Sequence, residues 1–239
     1  MKKILTIAFL LLATAGVRAQ TTTVNDPNAR VREVGAFTGV KVSAGIELLL
    51  QQGDKDAVAV SCSRPEYQDR IKTVVEGGVL KISIDNVYSD SHWRRNVKFK
   101  AYVSIRQLDK LSASSGSTVK TGAVVNVNKL DIDCSSGAII EAEFKGQSIS
   151  VDNSSGAITT LKGNVEMLEV EASSGAIFKG FDLSSTNCSA DASSGGMINT
   201  TVTKELNAEA SSGGMIDYKG GAVIRKLHTS SGGSVKSNS

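Results

Sequence analysis

Leu168-Glu169-Val170-Glu171-Ala172-Ser173-Ser174-Gly175-Ala176-Ile177-Phe178-Lys179-Gly180 is one copy of a pattern that fills the second half of this 239-residue sequence. Its Ser-Ser-Gly triplet recurs with glycines at Gly116, Gly137, Gly156, Gly175, Gly195, Gly213 and Gly232, at intervals of 21, 19, 19, 20, 18 and 19 residues. A period near 19 residues held over seven copies marks a solenoid, in which each copy is one unit stacked on the next.

Aligning the copies on the first serine of each triplet turns the repeat into columns. Five positions before it stand Leu130, Ile149, Leu168, Cys188 and Leu206. Three before stand Leu111, Ile132, Val151, Val170, Ala190, Ala208 and Leu227, and one before stand Ala113, Cys134, Asn153, Ala172, Ala192, Ala210 and Thr229. These alternate positions are apolar or small and face inward on a strand of period two. The triplet ends that strand, because glycine takes positive φ without steric cost, as a tight turn requires. A small residue follows, then a second β-rich stretch such as Ile139-Ile140, Ile177-Phe178, Met197-Ile198 or Met215-Ile216. A Lys-Gly pair often closes that stretch, as at Lys145-Gly146, Lys162-Gly163, Lys179-Gly180 and Lys219-Gly220. Each period thus predicts two short strands and at least two turns.

A parallel β-helix and an antiparallel meander both fit that count. Recurrence of like residues at every period selects the coil, since stacking places serine over serine and glycine over glycine. The expected fold is all-β: a right-handed parallel β-helix whose Ser-Ser-Gly turns stack at one corner, with handedness set by the usual crossover rule. Seven stacked corners at ~4.8 Å extend ~29 Å along the axis. Cys134 and Cys188 fall in inward columns about three coils, or ~14 Å, apart. That is too far for a disulfide, which needs Cα atoms within roughly 7 Å, so both read as free core thiols. Asn153, in a column of small residues, is expected to hydrogen-bond the turn backbone.

Residues 1–19 read as a secretory signal peptide, with basic Lys2 and Lys3, an apolar run Ile4 to Ala13, and a cleavage site at Val17-Arg18-Ala19. The apolar run is about half of the ~20 residues a membrane span needs, and no later segment is apolar enough to cross. The localisation expected is periplasm, outer-membrane surface or extracellular. The whole chain carries 27 basic and 24 acidic residues. Lys2, Lys3 and Arg18 make up the excess, so the exported chain is balanced and its charge gives no reason to expect nucleic acid. Residues 20–29 read as a linker and 30–239 as one domain, with an irregular β part at 30–108 and regular coils at 109–236.

The order of elements in residues 30–108 carries a resemblance. Phe37 starts a strand, Gly45-Ile46 makes a step, Gln52-Gly53-Asp54 a turn and Gly78-Val79-Leu80 a further strand. With the serine and glycine turns of the second half, this order resembles the auto-transporter adhesin head GIN domain family, common in secreted proteins of Bacteroidota. The resemblance covers nearly all of residues 30–236 and implies a right-handed parallel β-helix with an adhesive role. It implies no catalytic residues.

Two features are candidate sites. Two positions before the first serine stand Asp133, Asp152, Glu171, Asp191 and Glu209, on consecutive coils, with Asp131 and Glu169 two residues earlier on the same outward face. Carboxylates stacked at ~4.8 Å repel by roughly 1 kcal/mol per pair even in water. The column is read either as a face for cations such as Ca²⁺ or a basic partner, or as a solvated face with lysine counter-charges. Its spacing differs from the Gly-Gly-x-Gly-x-Asp calcium repeat. The second feature is the loop Tyr88 to Arg95, where Trp93, the single tryptophan, precedes Arg94 and Arg95. It suits carbohydrate or partner contact, or covers an end of the core.

His92 and His228 show no metal-ligand or triad spacing, and no serine stands in a nucleophile elbow. The sequence therefore predicts a secreted or cell-envelope β-helix that binds or scaffolds without catalysis and without a cofactor. The alternatives are a polysaccharide lyase or hydrolase on the same fold, and a purely structural envelope protein. A surface glycan or protein is the expected partner class. The last coil leaves an open sheet edge, which predicts either a cap from the polar tail or end-to-end homo-oligomers.

Overall fold

The computed structural model describes residues 26–85 and 97–238. Seventeen strands form the described chain, with one short 3₁₀ helix at Pro65–Arg70. The order is β1 (Arg30–Arg32), β2 (Gly39–Val42), β3 (Glu47–Gln52), β4 (Ala57–Cys62), β5 (Ile71–Glu76), β6 (Val79–Ile84), β7 (Phe99–Ile105), β8 (Lys110–Ala113) and β9 (Thr118–Thr121). Then come β10 (Val125–Cys134), β11 (Ile139–Asn153), β12 (Ile158–Ala172), β13 (Ile177–Ala192), β14 (Met197–Ala210), β15 (Met215–Lys219), β16 (Val223–Thr229) and β17 (Ser234–Ser237).

The expected parallel β-helix is the observed architecture. From β10 onward every pairing is parallel, and residues one period apart lie side by side. One face runs β6-β2-β8-β10 and on through the second halves of β11 to β14, ending at β16. The other runs β7-β3-β9 and on through the first halves of β11 to β14, ending at β15 and β17. The inward columns meet between the faces. Leu130, Ile149, Leu168, Cys188 and Leu206 are buried, as are Leu111 through Ala208 and Ala113 through Ala210 in the other two columns. Leu227 and Thr229, the last members of those two columns, are exposed.

Two details depart from expectation. The regular coils do not break into two strands. β11 to β14 each run 14 to 16 residues from corner to corner, and β11 to β13 carry their Lys-Gly pairs inside the strand. In β11 the buried residues are Ile140, Ala142 and Phe144 before Gly146, then Ile149, Val151 and Asn153 after it. The inward phase thus slips by one at the bend, which keeps both apolar sets in the core. A Cβ on Gly146 would stand 2.0 Å from the Val127 carbonyl oxygen, and one on Gly163 2.0 Å from that of Phe144, so glycine is what lets the coils close up there. The uneven periods are absorbed in the same region. The 20-residue coil carries one extra residue between Lys179 and Asp182, and the 18-residue coil is shortened after Thr200.

The second departure is an eighth corner. Ala44 and Gly45 have φ of 65° and 75°, matching the serine and glycine of the triplets. β2 and β3 flank this corner and stack directly on β8 and β9. Residues 39–52 are thus a full coil, and 53–108 are an excursion that builds one end. There β4 pairs antiparallel with β1 and β7, and β5 antiparallel with β6.

Candidate functional site

The corner organises the outer surface. In every triplet the second serine is left-handed as well as the glycine: Ser174 has φ 52° and Gly175 φ 70°, and the other six agree. The backbone N–H of the next residue closes the turn, as from Ala176 to the Ser173 carbonyl at 3.0 Å. Two successive left-handed residues give the φ pattern of a type I′ turn, here joining strands of different faces rather than a hairpin. Each glycine N–H then donates to the carbonyl of the second serine one coil on, from Gly45 to Ser115 at 3.0 Å through Gly213 to Ser231 at 3.1 Å. This ladder uses the serine backbone, so the serine side chains are not what holds the corners in line.

The acidic column stands in register on one side of the corner. Asp133 pairs with Asp152, Asp152 with Glu171, Glu171 with Asp191, and Asp191 with Glu209. Asp131 and Glu169 lie in the neighbouring outward column, separated by Ser150. The two ends of the main column are neutralised and its middle is not. Lys110 Nζ lies 3.4 Å from Asp133, whose carboxylate also accepts from the Ser112 hydroxyl at 2.9 Å. Lys226 pairs with Glu209, and this hydrogen bond and charge hold the Glu209 carboxyl below its ordinary value. Lys129 reaches Asp131 at 4.0 Å. Asp152, Glu171 and Asp191 have no ion pair among the described residues, nor does any group of three His, Cys, Asp or Glu side chains there form a metal cage.

An aliphatic column on the other side of the corner escaped the sequence reading. Ile139, Ile158, Ile177, Met197 and Met215 are stacked in register and face outward. Their sequence neighbours Ile140, Thr159, Phe178, Ile198 and Ile216 are fully buried, which fixes the direction. The signal was present as paired apolar residues after each triplet, but period two sends only one of each pair inward. Carboxylates on one face, exposed serines at the corner and half-exposed aliphatic side chains on the other face therefore run as parallel columns over five coils.

The remaining candidates resolve simply. Trp93, Arg94 and Arg95 lie outside the described residues, as does the signal sequence. Cys62, Cys134 and Cys188 are free and buried; burial raises all three thiols, Cys188 up to about 11. Asn153 does not bond the turn of its own coil. Its amide donates to the Ile177 carbonyl at 3.1 Å and its oxygen accepts from the Thr159 hydroxyl at 2.7 Å, which pins adjacent coils together. An open recess of about 260 Å³ lies beside Lys55, Asp56 and Arg106. Burial works to raise the Asp56 carboxyl, but hydrogen bonds from the Arg106 side chain and backbone outweigh it and hold it low. Asp56 is thereby committed as a carboxylate and is a poor proton donor near neutrality.

A parallel β-helix of stacked coils with ladders of outward side chains belongs to the class of solenoid repeat proteins. The chain is a member of the family described as "Putative auto-transporter adhesin, head GIN domain", whose model matches residues 36–222. Solved structures share the fold. A putative adhesin from Bacteroides fragilis superposes with TM-score 0.79 at 18% identity, covering 88% of this chain and 96% of its own. A putative adhesin from Parabacteroides distasonis gives 0.70 at 20% identity, and a putative lipid binding protein from the same species 0.66 at 19%, with the same coverage of both chains. No curated protein matches the sequence.

Proposed function

We propose that this protein is an exported, non-catalytic β-helix of the cell envelope that binds an external partner along the corner ridge. The observation that carries the reading is the pairing of two uninterrupted columns. Asp133 to Glu209 on one side and Ile139 to Met215 on the other keep the same spacing over the same coils. Stacking the unpaired Asp152, Glu171 and Asp191 costs about 1 kcal/mol per contact, and exposing an aliphatic row across the corner from them forgoes burial. A partner with cationic or hydroxyl-rich groups and an apolar face offsets both. Surface glycans and envelope or matrix proteins offer that combination. A divalent cation such as Ca²⁺ bridging the middle carboxylates is the second form of the same reading. Membership in an adhesin family supports a surface role, and no helix among the described residues is long and apolar enough to cross a membrane.

The test is a binding screen of the purified protein against glycans and matrix proteins. A variant carrying Asp152→Lys, Glu171→Lys and Asp191→Lys, and a second carrying Ile158→Ser and Ile177→Ser, are compared with it. The expected result is capture by the native protein that falls at least ~10-fold in each variant, the equivalent of about 1.4 kcal/mol. Capture unchanged in both variants removes the ridge from the function. New reducing ends or unsaturated products from incubated glycans replace the reading with a hydrolase or lyase. Calorimetry with Ca²⁺ decides the cation form, since no heat and no thermal shift leave the column to a molecular partner.

A further inference from the structure

The two ends of the solenoid are built differently. At the β4/β5 end, the chain leaves β4 on one face, forms the 3₁₀ helix Pro65–Arg70, and returns as β5 on the other face, so that the helix crosses the end of the core. Gln68 in this helix is buried and donates to the Val60 carbonyl at 2.6 Å, while Arg32 donates to the Gln68 carbonyl at 3.3 Å. Tyr67 packs on the core beside it. This end is capped.

Among the described residues nothing crosses the β16/β17 end in this way. The polar tail does not fold over it. Ser234–Ser237 form β17, which pairs with β15 and continues the second face, and Asn238 donates to the Tyr218 carbonyl at 2.7 Å. Every residue of β16 is exposed. Leu227 sits in the column filled elsewhere by Leu111 to Ala208, yet is 54% exposed, and Val223 and Ile224 beside it are 57% and 37% exposed. The outer edges of β16 and β17 pair with no further strand among the described residues. The Gly232 N–H, whose counterpart at each earlier corner donates to the next coil, makes no such bond among the described residues.

We propose that this end docks a second copy of the same chain, end to end, about a two-fold axis normal to the two faces. β16 then pairs antiparallel with β16 of the partner copy and β17 with its β17, so that both sheets run on through the junction. Three observations select this occupant. The surface is an apolar core section framed by two unpaired strand edges, and a second such section is its natural complement. At the other end of a copy the outer edges of β1 and β5 also pair with no strand among the described residues, but the helix with Tyr67 and Gln68 covers the core there, so the exposed apolar section matches a second β16/β17 end. The cations of β16 are already neutralised within their own chain. Arg225 pairs with Glu205 at 2.9 Å and Lys226 with Glu209, which leaves Lys236 of β17 as the exposed lysine of the two end strands with no ion pair among the described residues. An isologous contact of this kind closes and covers both open ends at once.

Light scattering on the purified protein over a concentration series tests this directly. The expected result is a rise from the mass of one chain to twice that mass, with β16 amides gaining protection from hydrogen exchange over the same range. Leu227→Asp, at a position already exposed within one chain, should hold the mass at one chain with its β-sheet circular dichroism intact. Lys226→Cys, at the centre of β16, should yield a disulfide-linked pair under mild oxidation, while the native thiols stay buried. A single-chain mass at every concentration with unprotected β16 amides overturns the proposal. So does an open series of larger species, which marks head-to-tail growth, or a doubled mass that survives Leu227→Asp and gives no Lys226→Cys cross-link.

Discussion

At the scale of single residues, the corner depends on two left-handed positions that carry different penalties. Gly175 at φ 70° has no Cβ, whereas Ser174 holds φ 52° with one. A left-handed L-residue costs about 1–2 kcal/mol, so Gly175→Ala should destabilise by that amount in urea unfolding. Ser174→Gly relieves strain but loosens the unfolded chain, so its net effect should stay within about 1 kcal/mol of zero. Equal losses from both changes would show that the serine hydroxyl, not the backbone, makes the turn. The glycine half of this requirement is legible in the triplet. The serine half is not, because serine carries no mark of a left-handed φ until the turn type is known. Asn153 was likewise placed in the core by its column, but its partners Thr159 and Ile177 belong to other segments and required the stack.

At the scale of the element, the Lys-Gly bend decides whether a coil can sit on its neighbour. Gly163 has φ 109°, and a Cβ there would meet the Phe144 carbonyl oxygen at 2.0 Å. Both faults act together in Gly163→Ala. We expect a loss of about 3 kcal/mol or more, large for a single methyl group, read as a lowered denaturation midpoint. Gly156→Ala, at a corner with open space around the same atom, should cost less. The sequence marked the bend by its Lys-Gly pairs but implied a break between strands. The structure keeps one bent strand, because the backbone hydrogen bonds to neighbouring coils continue through a one-residue change of phase.

At the scale of the whole molecule, the ends carry the least regular chemistry. The segment before β1 is tied down where Tyr102 donates to Asp26 at 2.7 Å. Burial works to raise the Asp26 carboxyl, but hydrogen bonds from Ser61, Tyr102 and the Asn28 backbone outweigh it and hold it below 3.8. A carboxyl lowered in the folded state contributes stability above its unfolded value and loses it as pH falls through the folded one. Unfolding measured from pH 6 down to about pH 2 should therefore show an acid loss beginning near 3.8 that Tyr102→Phe reduces. An identical acid limb in that variant would remove the tether from the account. The open end with Leu227 and the closed end with Gln68 make the molecule polar along its axis.

The sequence by itself determined the repeat, the inward columns, the parallel stacking, the free core thiols and the register of Asp133 to Glu209. Each follows from local periodicity, and a stacked repeat turns periodicity along the chain into neighbourhood in space. Only the tertiary structure decided that Ala44-Gly45 is the eighth corner, that Ile139 to Met215 face outward, and that a helix crosses one end while the tail extends a face at the other instead of covering it. Those facts depend on which strand lies beside which across long separations in sequence: β2 meets β8 across the whole 53–108 excursion. A column can be read from its repeat, but an end is defined by what does not stack on it, and no periodicity records that.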